Sequence, residues 1–321
     1  MLKQHIEPKL TVPEEELADL CKYFEVGKLM KFFRIKQGNI NTNYYVRTSH
    51  GEYVMRFYTF KQPEEIEAEH EILDYLYNKG FPTPRPVEKG DKTYDFYKDK
   101  PVCCFSYVQG HHLKKIKTTN IKEVARVTAK LHNLTEGFET KKKLEGEGLE
   151  VVKETVKKKR NLMVKSDFKD AERFMNFLER ELEKIHFPDN LPRGVVHVDI
   201  KNENTLFNHK FETLLDFDNC YFDSFIIDIG SSIMWWCTDK NRINAKKAKL
   251  FLKEYGKHML LSEEELAYLL ESLKFNMLKQ AFKYAYIMLP HREFAEKKAY
   301  EFKRLYEHTQ ELENFLIRKH Y

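Results

Sequence analysis

Three polar side chains with suggestive spacing stand in HVDIKNENTLFN, residues 197–208. His197 is followed two residues later by Asp199, and Asn204 comes five residues after that, directly before a short apolar run. A carboxylate on such a loop can accept a proton from an attacking hydroxyl, and an amide oxygen is a hard ligand that suits Mg²⁺. The spacing fits the catalytic loop of a phosphoryl-transfer enzyme, or simply a polar turn ahead of a strand.

A further carboxylate follows in the run LLDFD. Residues 205–207 and 213–215 can pair as short strands across the polar turn between them. This hairpin would set Asn204, before its first strand, near Asp216, after its second. Mg²⁺ takes one or two protein carboxylates and completes its shell with phosphate and water. A base beside such a metal supplies the parts that phosphoryl transfer needs, so the two stretches together predict a metal and base site.

The elements that must position this site differ along the chain. NYYVRTSHGEYVMRFYTF predicts a β-hairpin turning at residues 49–52, and a helix with an acidic first turn follows it. From about residue 120 the pattern is that of amphipathic helices, with a Lys-rich stretch around Gly146 and Gly148 predicted as a loop between them. A strand-rich first third and a helix-rich remainder predict an α+β chain with two lobes of unequal size.

Composition narrows the class of protein. The 321 residues are 42% apolar and 33% charged, as in soluble globular proteins. The net charge of +5 comes from interleaved charges of both signs, so we expect no nucleic-acid partner. The first residues lack the apolar core of a signal peptide, and no apolar run has membrane-spanning length. Five cysteines without a CxxC pair favour a reducing compartment, so we expect a cytoplasmic protein with no membrane segment.

The pattern HVDIKNENTLF…LLDFDNCYFDSFIIDIG resembles the Brenner and metal motifs of the aminoglycoside phosphotransferase and choline kinase superfamily. Within it, stretches such as GNINTNYYV, GFPTPRPV and FSYVQGHHL look most like homoserine kinases of that fold. The resemblance implies a two-lobed protein-kinase-like fold. A small antiparallel-sheet N-lobe, residues 1–105, would bind nucleotide. A larger, mostly helical C-lobe, residues 106–321, would carry the catalytic loop, metal site and acceptor pocket.

The resemblance implies roles for the loop residues. Asp199 would be the catalytic base, and Asn204 and Asp216 would hold Mg²⁺. His197 would brace the metal segment instead of carrying a proton, and Asp228 of IIDIG would tie the catalytic loop in place.

In the N-lobe, Arg56 occupies the place where most kinases have a phosphate-contacting Lys on the third strand. Its guanidinium can hold phosphate in a fork; the alternative is an edge-strand charge that faces water. Glu69 is the best candidate for the helix glutamate that pairs with Arg56, with Glu67 and Glu71 as alternatives.

The loop KQGNINTNYYV has a single glycine, Gly38, unlike the GxGxxG loop of protein kinases. Asn41 and Asn43 match the NxN of the family before the second strand. They could tighten the turn and direct backbone N–H groups at phosphate, or belong to an ordinary hairpin turn.

Lys201 stands two residues after the predicted base, where serine/threonine protein kinases carry a Lys that contacts the transferred phosphate. It could stabilise charge during transfer, or it could face solvent. Against a protein kinase, DFD replaces DFG, no APE follows, and the chain passes directly from Asp216 to DSFIIDIG without room for an activation loop.

The resemblance places acidic and aromatic side chains around the acceptor, and an ammonium-bearing alcohol would suit them. Buried helix packing is the competing interpretation for the aromatic ones. The predicted acceptor-pocket residues are Asp218, Asp223, Asp239, Trp235, Trp236 and Tyr286, with His291 and Arg292 as candidates for a substrate carboxylate.

The sequence therefore predicts an ATP- and Mg²⁺-dependent kinase of a small alcohol that carries an amine. Homoserine-like acceptors come first, followed by choline, ethanolamine and aminoglycosides. An atypical protein kinase or a nucleotide-binding pseudokinase are the alternatives. The adenine is expected to meet backbone groups of the connection 105–110. Oligomeric state is not indicated by any feature of the sequence.

Overall fold

A five-stranded antiparallel sheet dominates the first third of the chain, in the order β1-β2-β3-β5-β4. The computed structural model describes residues 9–38, 40–140, 142, 144, 146–287, 292–309 and 312. The elements of this part are α1 (Glu14–Tyr23), β1 (Leu29–Ile35), β2 (Thr42–Thr48), β3 (Glu52–Phe57), α2 (Pro63–Asn78), β4 (Asp95–Tyr97) and β5 (Lys100–Ser106). The predicted hairpin around residues 49–52 is confirmed as β2 and β3.

Helix α2 begins where its sequence provides a start signal. The Gln62 backbone N–H bonds to the Glu65 side chain across a capping box, and Pro63 occupies the first helical turn. Ile66, Ile72 and Leu76 recur at helical spacing and are fully buried. This apolar face packs into the core shared with the helical part of the chain, so α2 connects the sheet to the elements that follow.

Helices make up most of the remainder. They are α3 (Thr118–Thr135), α4 (Leu149–Val164), α5 (Ala171–Glu183), α6 (Phe225–Trp236), α7 (Ala245–Tyr255), α8 (Glu263–Ala267), α9 (Leu269–Ile287) and α10 (Arg292–Glu307). The described residues form six short strands among them: β6 (Arg193–Val196), β7 (Thr205–Asn208), β8 (Lys210–Leu214), β9 (Tyr221–Ser224), β10 (Thr238–Asp239) and β11 (Arg242–Ile243). The strand-rich and helix-rich parts confirm the α+β prediction, while the boundary between residues 105 and 106 stays a prediction.

The Lys-rich stretch is helical where a loop was predicted. Helix α4 begins at Leu149, directly after Gly148, and covers the lysine run. Val152, Val156 and Met163 are buried on one face, and the lysines lie on the others. The high charge of the stretch obscured this apolar face in the sequence, and the part from Leu149 onward is helical.

Gly230 permits the close packing of α6 against α9. A Cβ at this position would lie 2.1 Å from Ser272 Oγ and 2.9 Å from the Ser272 carbonyl carbon. Because overpacking a core typically destabilises by about 1–3 kcal/mol, we expect Gly230→Ala to reduce the free energy of unfolding by that amount in urea denaturation. Ser232→Ala is the control, since the buried Ser232 hydroxyl has no hydrogen-bond partner among the described residues. Equal losses in the two variants would contradict the packing argument.

Two further features concern the helices and the cysteines. None of the helices within the described ranges combines the length and apolarity needed to cross a membrane. The five cysteines are buried and unbridged.

Candidate active site

The predicted catalytic hairpin is confirmed by the strand register. Thr205 lies opposite Leu214, and Leu206 opposite Thr213, in the β7–β8 pair. Beyond the strands, Leu215 N donates to Asn204 O at 2.8 Å. This bond brings Asn204 beside the residue that precedes Asp216, as the sequence argument required.

Asp199 has one engaged and one open carboxylate oxygen. Its Oδ2 accepts hydrogen bonds from Lys201 Nζ at 2.6 Å and Asn204 Nδ2 at 3.0 Å. Its Oδ1 is buried and has no hydrogen-bond partner among the described residues. A buried acceptor without a donor is unfavourable, so Oδ1 is the atom at this loop that is ready to accept a bond from a hydroxyl group.

The loop before Asp199 is held by a fully buried carboxylate. Asp228, on α6, accepts the backbone N–H groups of His197 at 2.7 Å and Val198 at 2.5 Å. His132 Nε2 lies 3.3 Å from the same carboxylate. Burial alone would raise the pKa of Asp228, but the His132 hydrogen bond and the nearby His197 lower it below its ordinary value. Asp228 is therefore ionised where two backbone donors converge.

Val198 shows why this support is needed. Its φ of +59° is a conformation that a β-branched residue rarely adopts. Asp228 holds its N–H, and Ser231 Oγ donates to its carbonyl at 2.9 Å. Trp236 Nε1 donates to Ile200 O at 2.7 Å, so α6 fixes the backbone on both sides of Asp199.

His197 connects the catalytic loop to the residues on either side of Asp216. Its Nε2 lies 2.9 Å from Leu215 O, and its Nδ1 accepts from Asp199 N at 3.3 Å. The ring also meets Phe217 edge-on, with centroids 4.7 Å apart. Both ring nitrogens are engaged with the backbone, which suits a bracing position.

Asn204 and Asp216 form a donor set that fits Mg²⁺. The Asn204 amide nitrogen donates to Asp199 O and Oδ2, so its amide oxygen is directed away from Asp199. Asp216 has a left-handed backbone, with φ +68°. Burial and the neighbouring Asp218 charge raise the pKa of Asp216, as expected for a carboxylate that a bound cation would stabilise. One amide oxygen and one carboxylate leave the other ligand positions to phosphate and water.

Arg56 crosses from the sheet to this carboxylate segment. Its Nη1 lies 2.7 Å from Asp218 Oδ1 and 3.2 Å from Asp216 Oδ1. Its Nε donates to Asn43 Oδ1, at 3.3 Å, across the β2–β3 pair. Arg56 is thus not an edge-strand charge facing water. The same contacts place Asp218 against Arg56 of the sheet, while its assignment to the acceptor pocket stays a prediction.

The predicted pairing of Arg56 with Glu69 is wrong, because Glu69 binds a different cation. Lys61 Nζ lies 2.7 Å from Glu69 Oε2, and Tyr58 OH donates to the same oxygen at 3.3 Å. Burial raises the pKa of Glu69 to about 7, against the opposing effect of Lys61. Sequence reasoning missed Lys61, although its place between β3 and the start of α2 was a usable signal.

The alternatives to Glu69 lie elsewhere on α2. Glu67 and Glu71 are 3.4 and 3.9 Å from Lys142 Nζ, and both are substantially exposed. Among the three glutamates, Glu69 is the buried one, with 1% of its surface exposed.

The loop before β2 contributes side chains to the same cluster. Asn41 Nδ2 donates to Asp218 Oδ2 at 2.5 Å, and Asn41 Oδ1 accepts from Thr59 N at 3.2 Å. Gly38 has φ +92°, which favours glycine. Asn41 and Asn43 therefore connect this loop to Asp218 and Arg56, and phosphate binding by its N–H groups stays a prediction.

Lys201 contacts the predicted base instead of facing solvent. Its ammonium is 2.6 Å from Asp199 Oδ2 and 5.6 Å from the ring centroid of Trp235. Burial lowers the pKa of Lys201, but the charge and hydrogen bond of Asp199 outweigh this effect and raise it. Lys201 is a cation within reach of both the base and an adjoining cavity.

That cavity has a volume of about 520 Å³ and a lining that is more basic than predicted. Lys201 and Trp235 line it, together with the predicted Asp239 and with Lys114, Lys115 and Lys247. Trp236 also borders it but is almost fully buried. The helix-packing interpretation therefore describes Trp236 well.

Two predicted acceptor aspartates form salt bridges with neighbouring basic side chains, Asp239 within the cavity lining. Asp223 is 3.1 Å from Arg193 Nη2, and Asp239 is 2.5 Å from Lys247 Nζ. Tyr286 is buried and stacks on Phe282. His291 and the Arg292 side chain lie outside the described residues.

Residues 217–220 alone separate Asp216 from β9. A short 3₁₀ turn, Phe217–Asn219, occupies most of this interval. The structure therefore has no activation loop at this place, as the sequence indicated.

The sequence model of the phosphotransferase enzyme family matches residues 32–260, more than half of the chain. The chain belongs to this family. It is 25% identical over 261 residues to the homoserine kinase of Agrobacterium fabrum, which covers 79% of this chain and 80% of that protein. The homoserine kinase of Sinorhizobium medicae is 27% identical over 262 residues, with coverage of 79% and 78%.

Solved structures share the fold of this phosphotransferase. An amicoumacin kinase in complex with AMP-PNP and Ca²⁺ superposes with a TM-score of 0.69 at 18% identity, covering 94% of each chain. A choline kinase from Cryptosporidium parvum gives 0.66 at 12% identity, covering 95% of this chain and 98% of the other. These likenesses confirm the predicted protein-kinase-like fold. The family and its relatives make the chain a small-molecule phosphotransferase with a hydroxyl-bearing acceptor.

Proposed function

We propose that this phosphotransferase moves the γ-phosphate of ATP to the hydroxyl of a small amine-bearing metabolite, with homoserine as the first candidate. Choline, ethanolamine and aminoglycosides are the next candidates. The observation that carries the proposal is the open, buried Oδ1 of Asp199 beside Asn204 and Asp216. The names of the two bacterial relatives favour homoserine over the other acceptors.

In the proposed reaction the acceptor hydroxyl donates a hydrogen bond to Asp199 Oδ1. Its oxygen then forms a bond to the γ-phosphorus while the bond from that phosphorus to the β,γ-bridging oxygen breaks. ADP leaves, and the hydroxyl proton passes to Asp199. Asn204 and Asp216 would hold Mg²⁺, which neutralises charge on the phosphates when bound. Lys201, 2.6 Å from Asp199, would stabilise charge on the transferred group.

We assign nucleotide binding to the charged cluster next to the five-stranded sheet, formed by Arg56, Lys61 and Glu69. The Glu69 carboxylate is buried and holds the Lys61 ammonium in a fixed position. Lys61 would therefore bind the ATP phosphates. Arg56, which bridges Asp216 and Asp218, would be a second phosphate contact. The loop with Gly38, Asn41 and Asn43 would cover the phosphates, and the connection 105–110 would meet the adenine.

Lys61→Met is expected to reduce kcat/KM for ATP by about 10²-fold, because a preorganised cation at the phosphates is lost. The measurement is initial rate against ATP concentration at saturating acceptor. Lys142→Met is the matched control, since Lys142 pairs with Glu67 and Glu71 at the exposed face of the same helix. If Lys61→Met has no more effect than Lys142→Met, and Arg56→Met weakens ATP binding, then Arg56 and not Lys61 binds the phosphates.

ADP release in the presence of ATP and Mg²⁺ tests the proposed function. The acceptors are homoserine, choline, ethanolamine, hydroxylysine and kanamycin, each compared with a reaction that contains no acceptor. We expect turnover with homoserine, its loss after removal of the metal with EDTA, and recovery on adding excess Mg²⁺. Labelling of a protein substrate without turnover of any alcohol would overturn the proposal. We also propose a cytoplasmic location, where ATP is available and the five unbridged cysteines stay reduced.

A further inference from the structure

Lys279 is a buried cation with few close partners among the described residues. It lies on α9 with 4% of its surface exposed. Among the described residues, its ammonium donates to Glu147 O at a long 3.3 Å, and Glu147 Oε2 is 4.0 Å away. An ammonium has three donors, and a buried charge needs close, well-directed partners to offset its desolvation. Within the described part of the chain, the Lys279 ammonium therefore has only one long hydrogen bond and one distant carboxylate to offset its burial.

The pair lies next to the catalytic loop. Lys279 Nζ is 5.9 Å from the ring centroid of Tyr221, whose hydroxyl donates to Glu147 O at 3.4 Å. Tyr221 pairs in register with Val196, the residue directly before His197. The segment that carries Glu147 and the helix that carries Lys279 thus meet at Tyr221 of β9, and β9 pairs with β6, the strand that leads into the loop of Asp199.

The ionisation of Glu147 and Lys279 is consistent with a position close to Asp199. Burial raises the pKa of Glu147, but Lys283 and Lys279 outweigh it and lower the value, so Glu147 is ionised. Burial lowers the pKa of Lys279, and Glu147 opposes the shift. The negative charge of Asp199 raises the pKa of both Glu147 and Lys279. Asp223 and Asp239, by contrast, are already held by Arg193 and Lys247.

We propose that Lys279 and Glu147 form the subsite for the charged groups of a zwitterionic amino-acid acceptor. Lys279 Nζ would bind the α-carboxylate, and the Glu147 carboxylate would bind the α-ammonium, leaving the side-chain hydroxyl for Asp199. Lys283, one turn further along the half-buried face of α9, adds positive charge beside the carboxylate. This inference rests on the proposed function and makes it specific: the acceptor is a hydroxyl amino acid, and acceptors without a carboxylate are poor.

Two analogues of homoserine test the subsite in the unmodified protein. 3-Aminopropan-1-ol lacks the carboxylate, and 4-hydroxybutyrate lacks the ammonium. Because a site with buried polar groups discriminates strongly against a ligand that leaves them unpaired, we expect kcat/KM for homoserine to exceed that for either analogue by about 100-fold or more. Equal use of 3-aminopropan-1-ol and homoserine would overturn the subsite while the proposed function stood.

Variants then assign each charge. Lys279→Met is expected to remove most of the preference for homoserine over 3-aminopropan-1-ol, and Glu147→Gln most of the preference over 4-hydroxybutyrate, both with unchanged KM for ATP. Lys274→Met, on the same helix but outside the cluster, should keep the preferences of the original protein. An equal loss with all three acceptors in Lys279→Met would show a merely structural role and contradict the inference.

Binding separates this inference from the proposed function. Calorimetric titration of homoserine into the protein with AMP-PNP and Mg²⁺ does not depend on turnover. If none of the acceptors is phosphorylated but homoserine binds and Lys279→Met abolishes the binding, the subsite stands and the proposed function fails. If homoserine does not bind the unmodified protein, the subsite is refuted.

Discussion

Asp199→Asn is expected to reduce kcat by about 10²–10⁴-fold while the affinity for ATP changes little. Asp199 Oδ2 is engaged with Lys201 and Asn204, and Oδ1 is open. An amide at this position keeps the shape but has a single acceptor oxygen. Either its NH₂ group confronts the donors Lys201 and Asn204, or it occupies the place where the hydroxyl must donate. In both orientations the group that accepts the proton is lost.

Steady-state rates with homoserine, and equilibrium binding of AMP-PNP, measure the two halves of that prediction. Glu212→Gln is the matched control, because it makes the same carboxylate-to-amide change on β8, beyond the catalytic loop. A melting temperature close to that of the unmodified protein would show that Asp199→Asn still folds. A folded Asp199→Asn variant with full activity would remove Asp199 from the role of base.

Asp228→Ala is expected to reduce the free energy of unfolding by about 3–5 kcal/mol and to abolish activity. The change leaves the backbone N–H groups of His197 and Val198 buried without an acceptor, and each unsatisfied donor is unfavourable by about 1–3 kcal/mol. It also releases Val198 from its positive φ, so the loop would relax away from the geometry that presents Asp199.

Urea denaturation at a matched temperature measures the loss in free energy of unfolding. Asp228→Asn is expected to give an intermediate loss. The amide oxygen of Asn can still accept from one of the two N–H groups, so this variant should lie between the native protein and Asp228→Ala. Asp228→Ala with native stability and native kcat would contradict the proposed support of the loop. A stable but inactive variant would indicate that the carboxylate acts by another route.

Local patterns explain why the centre of the site was predictable. Two short apolar runs across a polar turn predict a hairpin from neighbouring residues alone, and the hairpin then brings Asn204 and Asp216 together without any knowledge of the rest of the fold. Helix α2 was equally accessible, because its capping box and apolar spacing lie within a single segment.

Contacts between distant segments explain the errors. Arg56 and Lys61 are both cations near the end of β3, and either could pair with Glu69. Arg56 bonds instead to Asp218, which lies 162 residues further along the chain, and Lys61 pairs with Glu69. The sequence near β3 does not contain this information. The same limit applies to Glu147 and Lys279, which are 132 residues apart and belong to no motif. Trp236 was ambiguous because nearly every residue of α6 is buried, so an aromatic side chain there carries little information about a pocket.

The most direct test of phosphate transfer to a small amine-bearing alcohol is ³¹P NMR of the protein incubated with ATP, Mg²⁺ and homoserine. We expect a new phosphate monoester signal, coupled to the methylene protons of the acceptor, that grows in step with ADP. Release of inorganic phosphate alone, or phosphate that stays on protein while no ester forms from homoserine, choline, ethanolamine or an aminoglycoside, would contradict it.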